Sequence, residues 1–522
     1  MLEVKDLNIE FHDHSLPETV VYRFNLTMEE GDIVGVVGES GSGKTMSALA
    51  ICGLLSRRDM KKEGEILFGG KELLTCSRSE MRELQGDDIA IIFQEPMTSL
   101  NPVKTIGWQV EEALRIHTDM SKEERYERAI WALTEAELPN PEKVYDQYPH
   151  ELSGGLRQRV MIAAAIVCHP GLLIADEPTT ALDVTIQAEI IELLLKLNRE
   201  HKTAILFISH DLSLVRKLCR RVVVMQNGYI VEQGNVEQIF QNPQQEYTKH
   251  LIASIPNCED VKEEKDFSGE EVVLAATDIH VSYHSAQGVF GKSQEQKVLK
   301  GVSFDLHKGE VLGLVGESGC GKSTLAKVIV GLNRKYQGQI SCAEGSIQMV
   351  FQDPYSSLNP RKTIGWIMEE PLKIKGGYTR EERRRKVQEM LQKVELDPEI
   401  ADRYPRQLSG GQRQRVGIGL ALMSEPKVLV ADEPVSALDV TVQAQILKLL
   451  QKLKEEMGLA ILFISHDLRV VYQLCDNIII MEDGEIVERG TPQKIYTAHS
   501  NPYTGQLLKA AGIEKVGVAA RD

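Results

Sequence analysis

Short apolar runs and longer amphipathic stretches alternate along this chain. "DIVGVVG" (Asp32–Gly38) and "LLIAD" (Leu172–Asp176) are compact, almost wholly apolar, and end in Gly or Asp. Runs of that length suit central strands buried on both faces. "SGSGKTMSALAICGLL" (Ser40–Leu55) and "SGGLRQRVMIAAAIVC" (Ser153–Cys168) open instead on glycine-rich turns and continue as helices. Strand, loop and helix in this recurring order predict an α/β fold with a largely parallel sheet.

The whole pattern is written twice. "VVGESGSGKT" (Val36–Thr45) pairs with "LVGESGCGKS" (Leu314–Ser323), and "IIFQEPMTSLNP" (Ile91–Pro102) with "MVFQDPYSSLNP" (Met349–Pro360). "YPHELSGGLRQRV" (Tyr148–Val160) pairs with "YPRQLSGGQRQRV" (Tyr404–Val416), and "LLIADEPTTALDVT" (Leu172–Thr185) with "VLVADEPVSALDVT" (Val428–Thr441). "AILFISHDL" occurs unchanged at Ala204–Leu212 and Ala460–Leu468. The offset is 278 from Gly38 to Gly316, 258 from Gln94 to Gln352, and 256 from Ser153 to Ser409 onward. One long period with fixed motif order is domain duplication, not a solenoid. The falling offset shows that copy 2 lacks roughly twenty residues after its first motif, where it carries only "GQISCAEGSIQ". Between the copies, "NCEDVKEEKDFSGEE" has seven acids and two Lys, the composition of a solvated linker. The expected division is therefore a domain at 1–256, a linker at 257–271 and a domain at 272–522.

Composition narrows the classes. A formal net charge of −16 over 522 residues argues against a protein that coats nucleic acid through clustered cations. The opening "MLEVKDLNIEF" is charged where a signal peptide needs an apolar core, and no apolar run reaches membrane-spanning length. "VMIAAAIVC" (Val160–Cys168), the nearest candidate, stops at "HPG" and reads as a buried helix. Eight Cys without a C-x-x-C pair point to reduced thiols in a cytoplasm.

The chemistry sits in the repeated motifs. Gly38, Glu39, Ser40, Gly41, Ser42, Gly43, Lys44 and Thr45 fit G-x-x-x-x-G-K-[ST] after a strand and before a helix. Gly316, Glu317, Ser318, Gly319, Cys320, Gly321, Lys322 and Ser323 fit it again. Glycines let successive N–H groups face inward, and the helix start adds positive partial charge. Lys44 and Lys322 are expected on the β- and γ-phosphates of a nucleotide, and Thr45 and Ser323 on Mg²⁺. One such match by chance has a probability on the order of a few per cent; two in the same context exclude chance. Asp176 and Asp432 each end an apolar strand, where a carboxylate meets the metal. Glu177 and Glu433 follow, placed to polarise a water for attack on the γ-phosphate. His210 and His466 also follow strands, where α/β sheets place their ligands, and offer a donor to that phosphate. Ser153 and Ser409, each before two glycines, read on physics alone as ordinary helix caps.

Taken together, "LSGG", "DEP", "ALD" and "SHD" resemble the ATP-binding cassette superfamily, across nearly the whole chain and twice. The resemblance implies two tandem P-loop NTPase domains, each with a mainly parallel sheet, a helical subdomain and an antiparallel β-subdomain. It implies that Gln94 and Gln352 touch the magnesium and the attacking water and sense a membrane partner. Ser153, Gly154 and Gly155, with Ser409, Gly410 and Gly411, match the signature that reaches the other domain's nucleotide. Asp183 and Asp439 match the aspartate of the loop between sites, and Phe11 and Tyr283 the aromatic that stacks on adenine. On the same grounds Lys44 is expected to share a nucleotide with Ser409, and Lys322 with Ser153.

The finer pattern resembles a fusion of the two ATP-binding subunits of dipeptide, oligopeptide and nickel importers, including their closing segments "NPQQEYTKHLIASIP" and "NPYTGQLLKAAG". That family implies ATP and Mg²⁺ as cofactors and two integral membrane permease subunits as partners. It further implies an external solute-binding protein, no nucleic acid, and a peripheral place on the cytoplasmic face of the membrane. Leu156 departs from the usual glutamine of the signature, and the shortened stretch of copy 2 bears on its accessory β-region. The alternative reading is a soluble twin-cassette translation factor on ribosomes, whose linker would be long, helical and basic rather than acidic. DNA-repair cassettes carry zinc modules or coiled coils that are missing here, and sugar importers a divergent second signature.

Overall fold

Each half of the chain is built on a parallel core of strands whose side chains are buried on both faces. The computed structural model describes residues 1–12, 17–55, 59–180, 182–255, 258, 264–286, 293–342, 347–436 and 438–513. Apart from the short stretches Asp183–Thr185 and Asp439–Thr441, the chain divides into two units meeting between Ile255 and Pro256. Of the expected linker, positions 257 and 259–263 lie outside the described residues.

In the first unit the central order is Ile89–Ile92, Leu172–Asp176, Ala204–Ile208, Ile33–Val37 and Arg221–Gln226, all parallel. Side chains alternate across the sheet. Val37, Leu173, Ala175, Ile205 and Phe207 join one core with the helices. Val34, Val36, Leu172, Ile174, Leu206 and Ile208 join a second core on the opposite face. Two covered faces explain why these strands read as unbroken apolar runs instead of alternating ones. Strand Tyr229–Asn235 links this core to antiparallel Glu18–Met28, Leu2–Phe11, Met60–Phe68 and Lys71–Glu72, making one ten-stranded sheet. The link is a single pairing, Tyr229 with Tyr22, whose rings stack with centroids 4.2 Å apart.

The second unit repeats the core as Ile347–Val350, Val428–Asp432, Ala460–Ile464, Val311–Val315, Asn477–Glu482 and Glu485–Gly490. Its antiparallel part is a separate three-stranded sheet, with Val272–Ala286 between Ser293–His307 and Gln337–Cys342. The shortening seen in the sequence falls here. Among the described residues the second unit has no counterpart of strand Lys71–Glu72 or helix Arg78–Leu84.

Both units insert a helical subdomain before the signature. In the first it comprises Ile106–His117, Lys122–Glu135 and Pro141–Asp146, packed against helix Gly154–Ile166. Side chains start these helices: Thr105 accepts from the Trp108 N–H, and Ser121 and Glu124 form a reciprocal capping box. Helix Gly154–Ile166 is buried along most of its length, as the apolar run there predicts. Among the described residues no helix is long and apolar enough to cross a membrane.

Phe207 is fully buried at the centre of the first unit's helical-side core. Phe207→Ala is expected to lower the unfolding free energy by about 3–5 kcal/mol, checked by urea denaturation of the full chain.

Candidate nucleotide site

Parallel register sets the site. Ile208 pairs with Val36 on one side and with Asp176 on the other, so three strands end level, and Ile92 pairs with Ala175 one step along. The residues just past these ends are the phosphate loop, Glu177, His210 and Gln94. Ile464 pairs with Leu314 and Asp432, and Val350 with Ala431, in the second unit. One edge of each sheet thus gathers its loop, acid pair, histidine and glutamine, the edge where α/β sheets bind ligands.

The loop's path requires glycine at its entry. Gly38 has φ +150°, and a Cβ there would collide with the Met225 carbonyl; Gly316 meets Met481 in the same way. Gly43 (φ 97°) and Gly321 (φ 109°) then turn the chain in the left-handed region into helices Lys44–Ile51 and Lys322–Ile329. Lys44 is buried, and its Nζ donates to the carbonyls of Gly38 (2.8 Å) and Glu39 (2.9 Å). Lys322 does the same with Gly316 (2.6 Å) and Glu317 (2.8 Å). Burial holds the Lys44 ammonium below its ordinary value. Ser42 Oγ, in the crook of the loop, is buried without a hydrogen-bond partner among the described residues. An orphaned hydroxyl and a fixed ammonium at a helix start fit a polyphosphate.

The metal candidates also come together. Thr45 Oγ1 donates to Asp176 Oδ1 at 3.2 Å, and Ser323 Oγ to Asp432 Oδ1 at 3.3 Å. Burial, in excess of the relief from Thr45 and Lys44, pushes the Asp176 carboxyl up to about 6, and Asp432 shifts in the same direction. A buried carboxylate with unrelieved charge beside a hydroxyl fits a divalent cation, which Thr45 and Asp176 would hold in the first unit and Ser323 and Asp432 in the second.

Glu177 is the most constrained residue of the site. Its φ is 49°, and its N–H donates to the Ile208 carbonyl at 2.9 Å; Glu433 has φ 47° and donates to Ile464 at 2.9 Å. A non-glycine residue in the left-handed region costs energy that the surroundings must offset. The carboxylate is gripped as well. Glu177 Oε2 accepts from Gln94 Nε2 (2.8 Å) and Thr180 Oγ1 (3.0 Å) and lies 3.1 Å from His210 Nδ1. Glu433 accepts from Gln352 Nε2 at 2.8 Å and faces His466 Nδ1 at 3.4 Å. Burial disfavours ionising Glu177, but the hydrogen bond and charge of His210 outweigh it and hold the carboxyl below its usual range. Burial likewise opposes a charge on His210, and its bond to Glu177 raises it nonetheless. The result is an ionised carboxylate, the form a water-polarising group needs.

Thr180 has only a faint trace in sequence, "PTT" against "PVS", and the second copy's Ser436 donates to the Glu433 backbone carbonyl. The signature serines cap their own helices. Ser153 Oγ accepts from the Leu156 N–H (3.4 Å) and Ser409 Oγ from Gln412 (3.3 Å). Gln412 Oε1 returns a bond from the Ser409 N–H at 3.1 Å, and Leu156 has no group to do so. Asp183 and Asp439 stand just before helices Val184–His201 and Val440–Met457. Phe11 ends strand Leu2–Phe11, half-buried, and Tyr283 lies exposed on strand Val272–Ala286 with its hydroxyl accepting from Asn333 Nδ2 at 3.2 Å.

A phosphate loop, a strand-ending Asp-Glu pair and a histidine on one sheet edge define an ATP-hydrolysing P-loop protein. Residues 21–180 and 299–436 match the ABC transporter family, and residues 231–277 the C-terminal region of oligopeptide/dipeptide transporters. The chain is 43% identical over 539 residues to the peptidoglycan transport ATP-binding protein YejF of Agrobacterium fabrum, covering 100% of this chain and 98% of that protein. It is 41% identical over 558 residues to the glutathione import ATP-binding protein GsiA of Salmonella paratyphi A, covering 98% of this chain and 90% of the relative. The solved archaeal ribosome recycling factor aABCE1, in complex with ribosomal stalk protein aP1, is similar with a TM-score of 0.60 over 93% of this chain and 92% of its own. At 20% identity that likeness shows the fold alone. The chain belongs to the ABC transporter family as a twin-cassette ATP-binding protein of the peptide-importer type, an ATPase coupled to transport.

Replacing both Glu177 and Glu433 with Gln is expected to cut ATP turnover by about a hundredfold or more, with nucleotide binding retained. Steady-state ATPase assays and ATP titrations check this. Lys44→Ala should weaken binding at one site of two, read as a biphasic titration.

Proposed function

We propose that this chain powers uptake of short peptides or related solutes, glutathione-like compounds and nickel chelates included. The observation that carries the reading is similarity along the full length to two import ATP-binding proteins, with the oligopeptide/dipeptide C-terminal match at 231–277. ATP with Mg²⁺ is bound by Lys44, Thr45, Asp176 and Gln94 in one cassette and by Lys322, Ser323, Asp432 and Gln352 in the other. Glu177 and Glu433 polarise the water, and His210 and His466 donate to the γ-phosphate. Each signature serine completes the nucleotide site of the other cassette, which the domains 1–256 and 272–522 and their acidic linker supply within one chain. A tethered second cassette arrives at high effective concentration.

The partners in this reading are two permease subunits, fed by an external solute-binding protein, with this chain peripheral on the cytoplasmic membrane face. A groove of about 600 Å³ beside Gln352 supports it. Phe351, Pro371 and Ile374 line it, and Ile374 is 82% exposed. An apolar groove next to the glutamine that grips Glu433 suits a short helix from a membrane subunit.

Ile374→Asp is expected to abolish co-purification with the permeases and to lower uptake about tenfold or more, with the isolated chain's ATPase unchanged. Pull-down and transport assays check it. Isolating the permeases with their solute-binding protein and identifying its bound solute by mass spectrometry tests the cargo. Recovery with ribosomes in place of permeases overturns the proposal.

A further inference from the structure

Among the described residues the last helix of each cassette has Tyr-Thr as its second and third residues: Tyr247 and Thr248 in Glu246–Ala253, Tyr503 and Thr504 in Pro502–Ala510. Nothing in the hydrolytic chemistry uses these tyrosines. Yet Tyr247 Oη accepts a hydrogen bond from the backbone N–H of Glu39 at 3.1 Å, and Tyr503 Oη accepts from Glu317 at 3.1 Å. The closing helix of each cassette therefore touches the second residue of its own phosphate loop.

Two features distinguish this from incidental packing. First, the approaches differ. Asn-Pro precedes the tyrosine by five residues in "NPQQEY" (Asn242 to Tyr247) and by two in "NPY" (Asn501 to Tyr503), and both deliver the hydroxyl to the same peptide. Second, the helix start is itself fastened to the sheet. Glu232 accepts from the N–H groups of Gln244 (2.8 Å) and Gln245 (3.2 Å). Glu488 accepts from Ser500 N–H (2.6 Å), Asn501 N–H (3.4 Å) and the Thr504 hydroxyl. Burial pushes the Tyr247 hydroxyl up to about 12, so it is a neutral phenol at ordinary pH.

The contacted residue matters because of what its carbonyl does. The Glu39 carbonyl accepts from Lys44 Nζ, and the Glu317 carbonyl from Lys322 Nζ. Residue 39 is thus held by its N–H from the closing helix and by its carbonyl from the lysine that meets the phosphates. Holding both ends fixes the turn from strand into loop, and with it the direction in which the lysine points.

We propose that Tyr247 and Tyr503 are positioning residues for ATP binding, fixing the entry of each phosphate loop and making nucleotide affinity depend on a docked closing helix. The double variant Tyr247→Phe/Tyr503→Phe keeps the rings and removes only the two acceptors. In the full chain with magnesium, the ATP dissociation constant is expected to rise about twofold to tenfold, with kcat at saturating ATP essentially unchanged. Amide exchange by mass spectrometry is expected to quicken in peptides containing Glu39 and Glu317, with the melting temperature of the nucleotide-free chain held within about 2 °C. Unchanged ATP affinity and exchange overturn the proposal. So does a fall in melting temperature and kcat together that Thr504→Ala reproduces, since that is the mark of a packing role. Wild-type titration separately checks that the chain binds ATP, so failure there is distinguishable from failure of the tyrosines.

Discussion

The level ending of three parallel strands is the constraint on which the site depends. Ile208 lies in register with both Val36 and Asp176, so the chain leaves the sheet at one height three times. Because side chains alternate, a one-residue slip in any of these strands would turn its apolar set to the wrong face. Two buried faces with different cores resist such a slip, since Phe207 and Leu206 belong to separate clusters. The packing that stabilises the sheet is therefore also what aligns loop, acid pair and histidine.

On that edge, geometry is held by polar contacts that would be costly if incomplete. The strained backbone of Glu177 persists because its N–H is taken by Ile208 and its carboxylate by three side chains. Asp176, one residue earlier, is buried to the same degree but less compensated, so its carboxyl shifts up where that of Glu177 shifts down. Adjacent carboxyls are thus shifted in opposite directions by what surrounds them. The lysine and the tyrosines extend the same logic to the loop, holding its second residue by both its N–H and its carbonyl.

Much of this was legible in sequence. The apolar runs, the two phosphate loops, the strand-ending Asp432 and Asp176 and the helix caps Ser153 and Ser409 stand where periodicity and motif put them. What escaped were contacts between segments distant along the chain. No local pattern says that Tyr247 meets a peptide 208 residues earlier, or that Thr180 turns toward Glu177. The loss of a capping box through Leu156 was visible as a departure, but its meaning, a missing return bond to the serine, required the geometry of the second copy. The joining of the first unit's antiparallel and parallel strands into one sheet, and their separation in the second, rests on one pairing at Tyr22 and was not readable at all.

The trimmed antiparallel region of the second unit leaves a different kind of surface. Strand Met60–Phe68 in the first unit is flanked by Lys71–Glu72, whereas Gln337–Cys342 has Val272–Ala286 on one side and no further strand among the described residues on the other. An open row of backbone donors and acceptors is a template onto which a foreign strand can grow. Here it is short, and its side chains are nearly all exposed and mostly polar. Self-assembly gains little from such a border, so the shortening carries small risk of aggregation.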